Sequence, residues 1–257
     1  MRDQIKDKVY FEQTILRCSK SEETRREKLF NNKIAEDRIL PVSRARASNL
    51  VRLLIAKYSI GHSINELISN YKEAVILVER SYKSFWKIKI GNPPQIFDQY
   101  ILSTYDEILW LISFGILVNI EDKYLQLLAK LIDSDNIQDK LFEYLLSNQL
   151  NERNNHMHES DDGGSGIRDI FALLRVAINK EDKNACQKLV EKFLTNEWYI
   201  GHKDASWYDS HKGDTYIGYW CFEAAAVTCI KGLDDSSYRD HPYYPKDLAD
   251  YYRANNS

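Results

Sequence analysis

Apolar residues recur at helical spacing along most of the chain, and residues that would break a helix are few. In the clearest case, residues 63–82, the apolar side chains that share one face are Leu67, Ile68, Tyr71, Ala74, Val75, Val78 and Tyr82. This periodicity predicts an amphipathic helix. Ser63 and Glu66 stand in the Ser-x-x-Glu relation of a capping box, which predicts the start of that helix. Gly61 marks the end of the helix before it.

The same spacing predicts further helices and, with them, the fold class. Their ranges are 4–38, 43–59, 96–117, 122–132, 137–150, 168–178 and 182–194. Gly91-Asn92-Pro93-Pro94 and the polar stretch 151–166 predict breaks between helices. We therefore expect an all-α fold, a compact multi-helix bundle of two packed helical halves with little or no β structure. We place the boundary between a domain of residues 1–122 and a domain of residues 123–257.

One stretch, residues 216–231, is apolar on both of its helical faces. A helix that is apolar all round is buried all round, so we expect the central helix of its domain here, ended by Gly232. Glu223 lies among the aromatic residues of this stretch. Burying a carboxylate requires a partner, which predicts that Glu223 is structural and held by an Arg, a Tyr hydroxyl or backbone N–H groups. The alternative is a general acid.

The composition is that of an ordinary globular protein, with 44% hydrophobic and 28% charged residues. The first residues are charged and lack the apolar segment of a secretory signal. The longest apolar run, residues 108–120, is too short to span a membrane. The four cysteines show no Cys-x-x-Cys pairing, which is typical of a reducing compartment. We expect a cytoplasmic protein that does not bind membranes.

Charge is divided unevenly along the chain, although the net charge is only −3. Residues 1–125 carry 20 Lys and Arg against 16 Asp and Glu, and residues 126–257 carry 15 against 22. An acidic half could complement the groove of a DNA-binding protein, and the alternative is an ordinary solvated surface. The sequence pI of about 6.1 is far below that of nucleic-acid-binding domains, so direct nucleic-acid binding is not expected.

A single cluster has metal-ligand character, His156-Met157-His158-Glu159-Ser160-Asp161-Asp162. His and carboxylate side chains suit Zn²⁺ or Mn²⁺, but the cluster falls in a polar stretch without a third His nearby, which favours a solvated loop. The sequence has neither a Gly-x-Ser-x-Gly elbow nor a phosphate-binding loop. We expect no catalytic site, metal or cofactor. The alternative is a small metal-dependent helical hydrolase that uses His156, His158, Asp161 and Asp162.

Several motifs in both halves resemble those of one known family. The motifs are Trp207, His211, Gly218-Tyr219-Trp220-Cys221-Phe222-Glu223-Ala224-Ala225-Ala226, Asp234-Asp235-Ser236-Ser237, Tyr243-Tyr244-Pro245-Lys246-Asp247-Leu248, Tyr58-Ser59-Ile60-Gly61 and Ser113-Phe114-Gly115-Ile116-Leu117. The chain resembles the PoNi-type immunity proteins of bacterial polymorphic toxin systems, which neutralise a cognate PoNe-type DNase toxin. The resemblance covers most of the chain, and it implies an all-helical protein that has no catalytic site and acts by binding.

The resemblance implies a cognate nuclease (DNase) toxin as the partner, blocked by occlusion of its DNA groove or active site. We predict that the toxin is bound by loop carboxylates and loop aromatics, namely Glu159, Asp161, Asp162, Asp204, Trp207, Tyr208 and Asp209. We predict a structural role for the motif residues Tyr219, Trp220, Glu223, Asp234, Asp235, Tyr244 and Pro245. A helical adaptor that binds a partner other than a nuclease is a further alternative.

Overall fold

Helices dominate the computed structural model, which describes residues 1–153 and 169–256. The protein is 65% helical, and a two-stranded antiparallel ribbon is the one sheet in the described part of the chain. The predicted all-α fold is therefore confirmed. The chain forms two compact units, residues 1–85 with 209–219, and residues 86–208 with 220–257. The predicted division of the chain at residue 122 stays a prediction.

The first unit contains three long helices, in which the middle one contacts both others. They are α1 (Lys8–Phe30), α2 (Glu36–Ile60) and α3 (Ile64–Tyr82). The predicted capping box at the start of α3 is present, because the Ser63 hydroxyl accepts from the Glu66 N–H and the Glu66 carboxylate accepts from the Ser63 N–H. Gly61 ends α2 in the left-handed conformation.

The sequence pattern misplaced the boundary between the first two helices. We expected one helix over residues 4–38 and a second beginning after Pro41, whereas α2 begins at Glu36 and runs through Pro41. Asn32 has a positive φ of 51°, so the chain turns there. Pro41 lies near the start of α2, where the loss of one N–H removes one intrahelical hydrogen bond.

A segment that is distant in sequence, residues 209–219, completes the first unit. The Ser59 hydroxyl donates to the Ile217 carbonyl over 2.7 Å, and the Tyr10 hydroxyl donates to the Tyr216 carbonyl over 3.0 Å. The Tyr216 hydroxyl donates to the Asp3 carboxylate. The first two bonds satisfy backbone carbonyls that have no helical partner, and all three tie this segment to α2, to α1 and to the residues before α1.

The second unit begins with the ribbon and continues as helices. Its elements are β1 (Lys87–Ile90), β2 (Gln95–Tyr100), α4 (Leu102–Leu117), α5 (Asp122–Ser134), α6 (Lys140–Ser147), α7 (Ala172–Ile178), α8 (Lys183–Lys192), α9 (Trp198–Gly201), α10 (Phe222–Lys231) and α11 (Lys246–Asn255). A π-helical turn, Phe193–Glu197, joins α8 to α9. Helix α10 contacts α4, α7, α8 and α11, so it is central to this unit.

Two helix predictions need correction at their starts. The helix expected over residues 96–117 begins only at Leu102, because residues 95–100 form β2. The helix expected over residues 216–231 begins only at Phe222. Gly218 has a φ of 116°, which is incompatible with a helix, and the Cys221 N–H donates to the Tyr243 carbonyl. Gly232 ends α10 in the left-handed conformation, as predicted.

None of the described helices is both long enough and apolar enough to cross a bilayer.

Candidate functional site

Four buried side chains form a polar network in the second unit. Asp106 belongs to α4, Trp198 to α9 and Glu223 to the first turn of α10, while His202 follows α9 directly. The Nε2 atom of His202 lies 3.2 Å from Oδ1 of Asp106, and its Nδ1 atom lies 2.5 Å from the Trp198 carbonyl oxygen. The Trp198 indole N–H donates to Oε1 of Glu223 over 2.6 Å. The network thus connects α4, α9 and α10.

His202 is bonded at both ring nitrogens in this network. Both nitrogens face acceptors, and an imidazole can donate from both nitrogens only when it is protonated. Burial opposes that charge, but the Asp106 carboxylate, the Trp198 carbonyl and Glu223 together outweigh burial and raise the pKa of His202 above its ordinary value. With both nitrogens engaged and the ring buried, His202 has no free nitrogen with which to transfer a proton to a substrate.

Glu223 lies in the same network but lacks a hydrogen-bonding cation. Its Oε1 atom accepts from the Trp198 indole and lies 3.3 Å from the Cys221 thiol, and its Oε2 atom has no hydrogen-bond partner among the described residues. Burial raises the pKa of Glu223 to about 7. Its side-chain partners are an indole and a thiol, and its own backbone N–H also bonds the carboxylate. Of the three partners that we expected, an Arg, a Tyr hydroxyl or a backbone N–H, the structure thus shows the backbone N–H. Its structural role stays a prediction.

Half-buried aromatic rings lie next to this network, on the surface of the second unit. We call them the aromatic patch: Trp110, Tyr199, Trp207, Tyr208, His241 and Tyr243. Ring centroids are 5.9 Å apart between Trp110 and Trp207, and 4.6 Å apart between Tyr199 and Tyr208. The buried Trp198 ring connects the two ends, at 5.3 Å from Trp207 and 5.1 Å from Tyr243. The rings are therefore contiguous.

The polar network fixes the position of one ring of the aromatic patch. The Trp207 indole N–H donates to Oδ2 of Asp106 over 2.8 Å, while the other oxygen of Asp106 faces His202. The His202 ring is 4.8 Å from the Trp207 ring, centroid to centroid. Sequence analysis missed Asp106 and His202 because they lie 96 residues apart, and no motif or periodicity relates them.

The predicted partner-binding residues fall into three groups. Trp207 and Tyr208 belong to the aromatic patch, and the exposed Asp204 lies in the same turn region of the second unit. Asp209 belongs to the first unit, where its Oδ2 atom accepts from Lys212 over 2.6 Å. The others, Glu159, Asp161 and Asp162, lie outside the described residues, as do His156 and His158 of the hydrolase alternative. The predicted roles of all these residues stay predictions.

The residues with predicted structural roles include a second buried carboxylate, Asp235. Its Oδ2 atom accepts from the Tyr244 hydroxyl over 3.0 Å, from Arg253 over 2.9 Å and from Arg239 over 3.3 Å. Pro245, which follows Tyr244 in the sequence, is also buried. Asp234 is exposed, and its carboxylate accepts from the Ser236 N–H. We call Asp235, Arg239, Tyr244 and Arg253 the arginine cluster.

The aromatic pair of the 216–221 stretch is divided between the two units. Tyr219 is buried in the first unit, where its hydroxyl lies 2.9 Å from Nδ1 of His211. Trp220 is buried in the second unit. Their burial matches what a structural role requires, and that role stays a prediction for both.

The described residues of these sites are aromatic rings and hydrogen-bonded polar groups. The described residues contain no group of three or more His, Cys, Asp or Glu side chains that could hold a metal ion. Two titratable groups beneath the aromatic patch, Asp106 and His202, are bonded to each other, and Asp106 also accepts from Trp207. The network orients rings, and the rings present a rigid aromatic surface of the kind that anchors protein interfaces.

One solved structure has the same fold along the whole chain. The crystal structure of protein PA2201 from Pseudomonas aeruginosa superposes with a TM-score of 0.73, covering 100% of this chain and 92% of that protein, at 18% sequence identity. At this identity the similarity shows the fold alone. None of the curated proteins compared with this chain matches it.

Family descriptions match both halves of the sequence. Residues 2–130 match the N-terminal part of the PoNe immunity protein (PoNi), and residues 137–248 match the C-terminal part of the PoNe immunity proteins (PoNi). The two matches lie in their expected order and cover nearly the whole chain. With its helical fold, the chain belongs to the PoNe immunity protein (PoNi) family.

Proposed function

We propose that the chain neutralises a cognate DNase toxin by binding it and occluding its DNA groove or active site, and that it does so in the cytoplasm, where the toxin would meet DNA. The observation that carries the proposal is the pair of family matches over residues 2–130 and 137–248. An immunity protein acts on a toxin, so the partner is a protein. The action is stoichiometric binding and involves no catalysis by this chain.

The charge of the second unit supports a basic partner. This unit carries 17 Lys and Arg against 25 Asp and Glu, while the first unit carries 18 against 13. A DNase needs a basic groove to hold the phosphate backbone. An acidic surface competes with DNA for that groove and accelerates encounter by long-range attraction. The unit with the excess of Asp and Glu is also the unit that carries the aromatic patch.

The aromatic patch supplies the contacts that hold such a partner. Trp and Tyr are enriched among the residues that contribute most to binding free energy at protein interfaces. Trp207 is held by its bond to Asp106, so little side-chain entropy is lost when it is buried against a partner. The rings of Trp207 and Tyr208 can also receive Arg and Lys side chains of a basic surface. Asp204 adds an exposed carboxylate close by in sequence.

The test uses the purified nuclease encoded beside the gene for this chain, with stopped-flow or biosensor rates and a cell-protection assay. Trp207→Ala is expected to increase the dissociation rate by roughly thirtyfold, the effect of losing an anchor worth about 2 kcal/mol. Tyr208→Ala should act in the same direction. Phe30→Ala is the matched control, because Phe30 is an aromatic on α1 that is 86% exposed. Melting curves correct each affinity for the folded fraction.

Steering is tested by charge removal and by salt. Neutralising Glu159, Asp161, Asp162, Asp204 and Asp209 together should lower the association rate by roughly one to three decades and change dissociation little. Association should also slow as salt rises, because exposed charges are screened over about 10 Å at 0.1 M ionic strength. The proposal is wrong if the neighbouring nuclease does not bind. The assignment of these surfaces is wrong if binding is insensitive to every one of these changes.

The hydrolase alternative has its own test. Changing His156 and His158 together to Ala should leave protection against the toxin intact, because binding needs no metal. Stoichiometric Zn²⁺ or Mn²⁺ bound through these two side chains, measured on the purified protein, would support the hydrolase instead.

A further inference from the structure

Two tryptophans at the aromatic patch, the half-buried Trp207 and the buried Trp198 that it contacts, each donate to a buried carboxylate. The Trp207 indole N–H donates to Oδ2 of Asp106 over 2.8 Å, and the Trp198 indole N–H donates to Oε1 of Glu223 over 2.6 Å. The N–H is the only polar group of an indole. The side chain of Trp207 therefore presents only ring carbon, and a partner can be recognised there as an apolar group or as a cation.

The buried groups around these two indoles favour the cation. An aromatic ring has a negative face that attracts cations, and a carboxylate that accepts from the indole N–H polarises the ring further in that direction. The His202 ring lies 4.8 Å from the Trp207 ring and is positive when it is protonated. With Asp106 ionised, the charges of Asp106, His202 and Glu223 sum to zero or to a negative value, and never to a positive one.

Covering the aromatic patch also changes the surroundings of these carboxylates. A partner that lies on Trp207 removes water from the neighbourhood of Asp106 and Glu223, which raises the cost of keeping a carboxylate ionised. An apolar side chain leaves that cost in place, whereas a nearby cation offsets it. The occupant that lowers the free energy of the buried network is therefore positively charged.

The orientation of the rings suits a flat cation. The Tyr199 ring makes angles of 31° with Tyr208 and 32° with Tyr243, at centroid distances of 4.6 Å and 5.5 Å. Trp198 and Trp207 make an angle of 30°. Rings inclined at such small angles give the aromatic patch faces of similar direction. A guanidinium is planar, stacks on aromatic rings and is more weakly hydrated than an ammonium group, so arginine suits these faces better than lysine.

We infer that the aromatic patch receives an arginine of the toxin, whose guanidinium lies against the Trp207 ring and is held there by cation–π attraction rather than by apolar burial. This inference rests on the proposed function, because that function supplies the basic partner. A DNase holds the phosphate backbone with basic side chains. An arginine of that groove, once held on Trp207, is no longer available to a phosphate.

The first experiment weakens the electrostatics of the rings and leaves their size nearly unchanged. The protein is produced with tryptophan that carries zero, one, two or three fluorine atoms on the indole, and affinity for the purified neighbouring nuclease is measured for each form. Because fluorine withdraws electron density from the ring face, affinity should fall with each added fluorine, by roughly tenfold over three. Melting curves correct each affinity for the folded fraction.

The control isolates Trp207, because all five tryptophans of the chain are labelled. The affinity of Trp207→Phe, produced in the same media, should not depend on fluorination. Trp207→Leu is the matched partner of that variant. Both changes remove the bond to Asp106 and both keep an apolar side chain, but only phenylalanine keeps a ring. Trp207→Phe is therefore expected to bind roughly fivefold more tightly than Trp207→Leu.

Chemical modification then tests the choice of arginine. The nuclease is treated with 2,3-butanedione, which reacts with arginine side chains, and the modified positions are mapped by mass spectrometry. At least one arginine should be protected in the complex with the unchanged protein and should react in the complex with Trp207→Leu.

The outcomes separate this inference from the proposed function. If the nuclease binds and its affinity does not depend on fluorination, or if Trp207→Leu binds as tightly as Trp207→Phe, the cation is wrong while the proposed function stands. A dependence that persists in Trp207→Phe overturns the placement on Trp207, and the absence of a protected arginine overturns the choice of side chain. If the nuclease does not bind the unchanged protein, both the inference and the proposed function fail.

Discussion

Asp235 and Glu223 are buried carboxylates of the same compact unit, and they differ in their hydrogen-bond partners. Asp235 in the arginine cluster accepts from Arg253 over 2.9 Å and from the Tyr244 hydroxyl over 3.0 Å, with Arg239 at 3.3 Å. Glu223 accepts from an indole and a thiol. A buried carboxylate without a hydrogen-bonding cation shifts its pKa upward. Burial accordingly raises the pKa of Glu223 to about 7.

Asp235 and Glu223 therefore contribute to the fold in different ways. Asp235 connects the turn after α10 to α11 through charge-assisted hydrogen bonds, which are roughly twice as strong as neutral ones. Glu223 fills a polar position under the aromatic patch and can change its charge near neutral pH. We therefore expect the arginine cluster to contribute most to stability, and the Glu223 network to make stability depend on pH.

The largest effect is expected for Asp235→Ala. The change removes a buried carboxylate that accepts from the Tyr244 hydroxyl, Arg239 and Arg253, and the loss of these three bonds costs about 4 kcal/mol although both arginines keep Asp250 as a counterion. The free energy of unfolding, measured in urea, should fall by that amount. Asp240→Ala is the matched control, since Asp240 is 86% exposed in its pair with Lys246 and its removal should leave stability nearly unchanged. Equal losses in the two variants would remove the distinction drawn for Asp235.

The next effect is a pH dependence that Glu223→Gln should abolish. The pKa of Glu223 is about 7 in the folded protein and 4.5 in its ordinary state, so the folded state holds a proton that the unfolded state has lost. Stability should therefore fall as pH rises from about 4.5 to about 7, by about 3 kcal/mol, and be level above that. The difference in unfolding free energy between the protein and Glu223→Gln, measured from pH 4 to 8, isolates this contribution. A constant difference would mean that Glu223 keeps its ordinary pKa.

A smaller effect is expected for Glu223→Ala at pH 7. The change leaves the Trp198 N–H without its buried acceptor, which costs about 2 kcal/mol. Toxin affinity per folded molecule should be nearly unchanged, because Glu223 is fully buried. A variant that keeps its melting temperature but loses protection against the toxin would identify Glu223 as a binding residue.

The smallest effect that we expect on binding is that of Asp106→Asn. The change also removes the buried carboxylate that faces His202 and lowers stability, so rates are compared per folded molecule. The new side-chain amide has one oxygen, so it can accept from only one of the two donors that face it, the His202 ring and the Trp207 indole. The Trp207 ring should therefore become less ordered. We expect toxin dissociation to accelerate roughly fivefold, about 1 kcal/mol. Near-ultraviolet circular dichroism should report the loosened indole. Asp235→Ala should leave the dissociation rate of the folded fraction unchanged, and a similar acceleration there would show that the two clusters are not functionally distinct.

The sequence predicted helices well where only one face is buried. Helix α3 illustrates this, because Leu67 and Val78 fall on its buried face and Ser63 caps its start. Prediction was wrong over residues 216–221, where aromatic side chains happen to recur at helical spacing. In a buried, irregular segment most side chains are apolar whatever their position. Their spacing can therefore match that of a buried helix by chance. Gly218 was the signal of a non-helical backbone, and its φ of 116° confirms it.

The ribbon and the polar network were missed for different reasons. The alternation of Lys87, Ile88, Lys89 and Ile90 before a Gly-Asn-Pro-Pro turn is typical of a hairpin, so its signal was present and was outweighed by the apolar run that follows. The pairing of Asp106 with His202 has no local signal, because it depends on how α4 and α9 pack. Trp207 and Tyr208 were singled out as loop aromatics, but the sequence could not reveal that Trp110, about a hundred residues earlier, lies beside Trp207.

The first unit is built from two segments that lie far apart in the sequence, and this sets the order in which it can fold. Helices α1, α2 and α3 leave the ribosome early, yet residues 209–219 are synthesised more than a hundred residues later. Until then the Ser59 hydroxyl lacks the Ile217 carbonyl and Asp3 lacks the Tyr216 hydroxyl. The loop that the Asp3–Tyr216 bond closes spans 213 residues, and such non-local closure is slow. In a nascent chain, α1, α2 and α3 are therefore synthesised well before the segment that completes their unit. A fragment that ends at residue 130 lacks that segment altogether.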